Sequence, residues 1–147
     1  MSQYTFIDLF SGCSGMSLGF EQAGFKSLLA IDCWEDALAT YRYNRKDANT
    51  LCEDIDKINV SKLARNLRIS KVDLIIGEPP CQGFSIAGNP IVDDDRNALY
   101  KSFVRFVATF HPKAFVMENM PNVLTMEGGT IKTLMRINKL ATQYHQY

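Results

Sequence analysis

The chain has 147 residues, 46% of them hydrophobic, with 16 basic side chains matched by 16 acidic ones. That is the size of one globular domain able to bury a core without a disulfide or metal staple. No apolar run approaches the ~20 residues that cross a bilayer, and Met1 to Phe10 lacks the basic start and long apolar stretch of a signal peptide. The expectation is a soluble intracellular protein, cytoplasmic in a bacterium or nuclear in a eukaryote. A formal net charge of zero excludes a broad phosphate-gripping surface, so any contact with nucleic acid must be local or shared with another polypeptide. The cysteines Cys13, Cys33, Cys52 and Cys81 form no C-x-x-C pair, and His111 and His145 are the only histidines. No metal site is expected from that spacing.

Tyr4 to Phe10 is rich in β-branched and aromatic residues and reads as a strand. Ser11-Gly12-Cys13-Ser14-Gly15 follows as a turn, and Met16, Leu18, Phe20 and Ala23 resume at helical spacing until Gly24 stops them. Ser27 to Ile31 reads as a second strand with Asp32 at its carboxyl end, and Ala37, Leu38 and Tyr41 mark a helix from near Glu35. Asn49 to Cys52 is a short third strand ending in Glu53-Asp54-Ile55, and Val60, Leu63, Ala64 and Leu67 give another helical stripe. Val72 to Ile76 is the clearest strand and runs into Gly77-Glu78-Pro79-Pro80-Cys81-Gln82-Gly83-Phe84-Ser85. The Gly-, Pro-, Asn- and Asp-rich stretch to Asp95 is longer than a passive connection. Leu99, Phe103, Phe106, Val107 and Phe110 form a helical face before Pro112, and Ala114 to Met117 is a strand ending in Glu118-Asn119. A last helix carries Ile131, Leu134, Ile137 and Leu140.

Strands alternating with helices at this spacing predict an α/β fold, a mostly parallel sheet flanked by helices. Ligands in such sheets bind beyond the carboxyl ends of the strands, and Gly12 to Gly15, Asp32, Asp54, Cys81 and Glu118 all fall there. Gly12, Gly15 and Gly19 with Asp32 about twenty residues on suit a nucleoside-bearing cofactor, because an acid at that distance reaches ribose hydroxyls. The same residues also read as tight packing plus helix caps. Cys81, between a diproline and a glycine, is either a small buried hydrophobe or a nucleophile held by two prolines whose φ is fixed, with Arg96 the nearby cation. Glu118 and Asn119 are either turn residues before Pro121 or a carboxyl and an amide facing a ligand, the carboxyl able to donate to a ring nitrogen when protonated.

Taken in order, DLFSGCSGMSLGFEQAG, GEPPCQGFS, DDDRNALY and FVMENM resemble the successive motifs of the DNA cytosine-5 methyltransferases, from about Phe6 to the end of the chain. The resemblance implies a Rossmann-like S-adenosylmethionine-dependent methyltransferase fold. It implies transfer of a methyl group to carbon 5 of cytosine in double-stranded DNA through a covalent cysteine adduct. Cys81 would attack carbon 6 of a flipped-out base, Glu118 would protonate ring nitrogen 3, and Asn119 would brace it. An aromatic carbon is a poor nucleophile, so covalent addition with ring protonation is a sensible activation, and extrusion frees a base that is unreachable in the stack. For the cofactor, Phe10 would stack on adenine and Ser11, Gly12, Cys13, Ser14 and Gly15 would pack by the methionine part. Asp32 and Trp34 would hold ribose and adenine, Asp54 and Ile55 the adenine edge, with Pro80 and Leu99 lining the pocket. Gln82 to Asn97 resembles a loop that closes over the base, making Gln82, Ser85 and Arg96 DNA contacts.

Ser14 stands where that family commonly has glycine, Asp32 where glutamate is usual, Glu78 where glycine is common, and Met120 where valine is frequent. Family members continue into further strands, an arginine-bearing motif, a target-recognition domain and a returning helix. The expectation is therefore that residues 1–147 form a partial cofactor-binding and catalytic domain, incomplete on its carboxyl-terminal side and lacking a target-recognition domain. It would act as a fragment or as half of a split enzyme completed by a second polypeptide, with self-association through apolar surface left uncovered. Two other readings are a non-catalytic remnant or regulatory subunit that binds a partner chain or DNA, and a nicotinamide-binding dehydrogenase. The second explains the early turn and Asp32 but gives Cys81 and Glu118 no role.

Overall fold

Alternating apolar residues drive five short strands into one sheet in the computed structural model, which describes residues 3–80 and 99–118. In chain order the elements are β1 (Thr5–Leu9), α1 (Gly15–Gln22), β2 (Lys26–Asp32), α2 (Glu35–Asn44), β3 (Thr50–Cys52), a 3-10 turn (Ile55–Lys57), α3 (Val60–Asn66), β4 (Leu74–Gly77), α4 (Leu99–Phe110) and β5 (Ala114–Met117). Every strand pairing is parallel, and the strand order is β3-β2-β1-β4-β5. The chain winds outward from β1 through β2 to β3, then returns to the other side of β1 with β4. The crevice beyond β1 and β4 is thus the point where the winding reverses, the usual ligand position in such a sheet.

Period-two alternation sorts the strand residues onto two faces. Ile7, Leu9, Ile31 and Ile75 pack with Ile55, Val60, Phe103, Phe106 and Val107, so α3, α4 and the 3-10 turn cover one face. Phe6, Leu74 and Ile76 pack with Met16, Phe20 and Phe25 under α1. Each fully buried Ile, Leu or Phe contributes about 2 kcal/mol of hydrophobic stabilisation before entropy is subtracted. At the amino ends, Thr5 donates from both its backbone N–H (3.0 Å) and its hydroxyl (3.1 Å) to Asp73, and Lys113 pairs with the same carboxylate at 2.8 Å.

The elements expected over the described residues are found there, with strand ends shifted by a residue or so: β1 stops at Leu9 and leaves Phe10 in the turn, β2 reaches from Lys26 to Asp32, and β3 starts at Thr50. β4 begins at Leu74 rather than Val72 and extends through Gly77, because Asp73 is occupied in tying β1 to β5. Gly77 lies so close to β1 that an added Cβ would stand 2.5 Å from the Leu9 carbonyl oxygen; only glycine lets the two central strands stay paired up to the crevice. The 3-10 turn was not expected. The helix expected over Ile131 to Leu140 lies outside the described residues.

Candidate functional site

At the end of β1 the chain turns through three left-handed residues, Phe10 (φ 58), Gly12 (φ 51) and Ser14 (φ 91). Glycine adopts that region freely, whereas a bulky aromatic does so only where the surroundings enforce it. Here they do: the Ser11 N–H donates to the Ile31 carbonyl at 3.0 Å and the Ser14 N–H to the Ser11 carbonyl at 2.9 Å. Asp32 completes the tie. One carboxylate oxygen accepts from the Gly12 N–H at 2.8 Å and the other from the Trp34 N–H at 2.9 Å, so a single side chain joins the turn after β1 to the start of α2.

These constraints shape an open cleft over the carboxyl ends of β1, β2 and β4. Its apolar surface comes from Phe10, Ile31, Ile55, Pro80 and Leu99, and its polar rim from Asp32, Cys33, Glu53, Asp54 and Glu78. The described lining holds four carboxylates and no lysine, arginine or histidine, although Lys57 pairs with one of them, Asp54, from outside the cleft. Such a surface favours a flat apolar ring, hydroxyl groups and positive charge, and it disfavours a pyrophosphate.

The far wall is carried by the 3-10 turn. Asp54 caps it, accepting from the Asp56 N–H at 3.1 Å, and pairs with Lys57 at 3.1 Å; the Lys57 ammonium, then the Asp56 N–H, hold its carboxyl below the usual carboxylate range. α4 locks this turn from outside. Arg105 donates to the Ile55 carbonyl at 2.6 Å and the Asp56 carbonyl at 3.1 Å, and the Ser102 hydroxyl donates to the Asp56 carboxylate. Ile55, buried below that turn, is thereby fixed as part of the cleft.

Behind the turn after β1 lies a buried polar group on the α1 and α2 face. Asp8 accepts from the Ser17 hydroxyl at 2.6 Å. The Tyr41 hydroxyl lies 2.8 Å from the same serine oxygen and donates to it, since serine has one proton to give. Burial pushes the Asp8 carboxyl up to about 7, an effect that the Ser17 hydrogen bond opposes and the charge of Glu78 reinforces.

The structure brings Phe10, Asp32, Asp54, Ile55, Pro80 and Leu99 together on the cleft. Ser11, Gly12, Cys13, Ser14 and Gly15 form the adjoining turn and its entry into α1. Asp32 and Asp54 serve both readings at once, capping local backbone and lining the cleft. Trp34 stands at the amino-terminal cap position of α2, is 63% exposed and is not among the residues lining the cleft, whereas Cys33 is. Sequence reasoning also missed Glu53 as a lining residue and Arg105 as an anchor; the run Glu53-Asp54 after a strand was the available signal for the first. Glu118 is exposed just after β5, its N–H donating to the Gly77 carbonyl at 3.0 Å. Cys81, Gln82, Ser85, Arg96, Asn119 and Met120 lie outside the described residues.

The profile of the C-5 cytosine-specific DNA methylases matches residues 4–144. Type II methyltransferase M1.HphI of Haemophilus parahaemolyticus is 46% identical over 128 residues, 85% of this chain and 34% of its own length. M.DdeI of Desulfomicrobium norvegicum is 49% identical over 123 residues, 82% of this chain and 29% of its own. The chain therefore spans about a third of these two relatives. M.HgiGI of Herpetosiphon aurantiacus is 40% identical over 114 residues, 78% of this chain and 88% of its own length. Among solved structures, a prophage-encoded E. coli protein assigned as a DNA modification methyltransferase superposes with a TM-score of 0.81 at 33% identity, covering 95% of this chain and 38% of that one.

Proposed function

Since the chain belongs to the C-5 cytosine-specific DNA methylase family, we propose that its cleft binds S-adenosylmethionine and that it methylates carbon 5 of cytosine in double-stranded DNA. The activity is proposed for the chain acting with the further length its relatives carry, in one polypeptide or supplied by a second. One observation carries the cofactor reading: the acidic, apolar-walled cleft stands where the sheet's winding reverses, and its lining among the described residues includes no cation. S-adenosylmethionine is an adenosine bearing a sulfonium cation and an amino acid, so it offers that surface a ring, two hydroxyls and positive charge. A dinucleotide would bring two phosphates toward four carboxylates.

The fit extends to individual groups. Phe10, Ile55 and Leu99 would enclose the adenine, and base stacking on an aromatic ring of this kind is worth about 1–3 kcal/mol. Asp32 keeps acceptor capacity after receiving two backbone donors, since a carboxylate has about four lone-pair sites, and would take the ribose hydroxyls. The Ser11 hydroxyl is buried with no hydrogen-bond partner among the described residues, which is the state of a group awaiting a ligand. When bound, the cofactor supplies an electrophilic methyl group.

The remaining chemistry belongs to the chain. The Cys81 thiolate would add to carbon 6 of an extruded cytosine while Glu118, with Asn119 beside it, donates a proton at ring nitrogen 3, which makes carbon 5 nucleophilic. Once carbon 5 carries the transferred methyl group, loss of its proton and expulsion of the Cys81 thiolate would restore the ring, and nitrogen 3 would return its proton to the Glu118 carboxylate. Gln82, Ser85 and Arg96 would hold the DNA around the extruded base. The test is transfer of radiolabelled methyl groups from S-adenosylmethionine to double-stranded DNA. Cys81→Ser is expected to abolish labelling and leave cofactor affinity unchanged; labelling retained by that variant would overturn the nucleophile assignment.

A further inference from the structure

Ser14 occupies a backbone position that suits glycine. Its φ of 91 and ψ of 27 crowd any Cβ, and strain of this kind persists only where neighbours over-determine it. Ser14 is buried, and its hydroxyl accepts from Arg45 Nη1. Arg45, the residue closing α2, is itself held firmly: Nε donates to the Glu21 carboxylate at 2.6 Å, and the guanidinium lies 4.7 Å from the centroid of the Tyr41 ring. Its side chain is only 13% exposed, so it is a fixed, largely dehydrated donor rather than a mobile surface cation. The planar fork of a guanidinium can serve Glu21 and Ser14 together, which an ammonium on a flexible stem would do less well.

We infer that Arg45 is a positioning residue for the cofactor turn: it holds Ser14 left-handed through the serine hydroxyl and so keeps residues 11–15 in the shape that meets the ligand. It does so from behind, since Arg45 is not among the residues lining the cleft. The arrangement couples α2 to the turn through a side chain that a glycine at position 14 would not need. The effect on ligand affinity rests on the proposed S-adenosylmethionine site; the effect on the turn rests on the hydrogen bond alone.

The experiment uses the whole 147-residue chain with Arg45→Met, Ser14→Ala, Ser14→Gly and the Arg45→Met/Ser14→Gly pair. Two quantities are read: affinity for S-adenosylmethionine by calorimetry, and amide hydrogen exchange without ligand at Ser14 and Leu18, whose N–H groups donate to Ser11 and Ser14 carbonyls. Arg45→Met is expected to speed exchange at both amides and to weaken binding about tenfold, because the competent turn is populated less. Ser14→Ala, a one-atom deletion that leaves packing intact, should do the same. In the Ser14→Gly background, Arg45→Met should cost less than about twofold, since glycine holds this φ unaided.

An arginine that merely braces α1 against α2 would cost as much in the glycine background as in the serine one, and equal losses would overturn the inference. Unchanged exchange in Ser14→Ala would overturn it too, even should Arg45→Met fail to fold. Absence of S-adenosylmethionine binding by the parent chain would instead overturn the cofactor reading, and the exchange measurements would still decide the role of Arg45.

Discussion

Phe10 holds its ring against the cleft at the expense of a left-handed backbone. A glycine there would relieve strain of about 1 kcal/mol or more while deleting the stacking surface. Because the ring also packs on the core, that relief offsets part of the lost burial, and Phe10→Gly is expected to lower the melting temperature by less than Phe10→Ala does, while both bind S-adenosylmethionine at least about tenfold more weakly. Unchanged affinity in both variants would mean that the ring serves the core instead. Asp8 behaves differently, because burial raises its carboxyl from 3.8 to about 7. Between those values the folded state keeps a proton that the unfolded chain has released, so this group's contribution is full below about pH 4 and fades as pH rises through 7. Asp73 has the opposite sign: the Lys113 ammonium holds its carboxyl below the usual range, and its contribution is lost as pH falls. Asp8→Asn should flatten the decline in melting temperature between pH 5 and pH 7; an undiminished decline would assign it to another group.

At the scale of elements, the cleft depends on α4 gripping a turn far away in sequence. Arg105 and Ser102 satisfy the carbonyls and carboxylate of Ile55 and Asp56, so the 3-10 turn is held by tertiary bonds in addition to its own cap and turn bonds. Arg105→Met should lower stability by about 1 kcal/mol in urea unfolding, a modest figure because the arginine is partly solvated. It should also weaken S-adenosylmethionine binding, since Ile55 loses its anchor; unaltered affinity would show that the turn keeps its place without α4. The turn was not legible in the sequence for a physical reason: three residues carry no periodicity, and the donors that fix them lie about fifty positions away. Asp54, a cap followed by an apolar residue, was the only local sign.

Across the whole molecule, the parallel order and the crevice followed from patterns that depend on near neighbours. Val72 to Ile76 and Tyr4 to Phe10 are apolar enough to be buried on both faces, and the acids and glycines that end them mark the carboxyl edge of the sheet. What stayed hidden were contacts between elements. Asp32 was readable as an acid at a strand end, but not as the clamp that accepts from both the Gly12 and the Trp34 N–H groups. Ser14 was visible as a departure from glycine, whereas Arg45, its partner 31 residues on, carried no sequence signal. Among the described residues no helix is long and apolar enough to cross a membrane. Everything proposed for this site requires that the acidic cleft take a cationic nucleoside cofactor. The most direct measurement is a calorimetric titration of the chain with S-adenosylmethionine and, separately, with NAD. Saturable one-site binding of S-adenosylmethionine and no heat from NAD is the predicted result; NAD binding of equal or greater affinity, or no binding of S-adenosylmethionine, would contradict it.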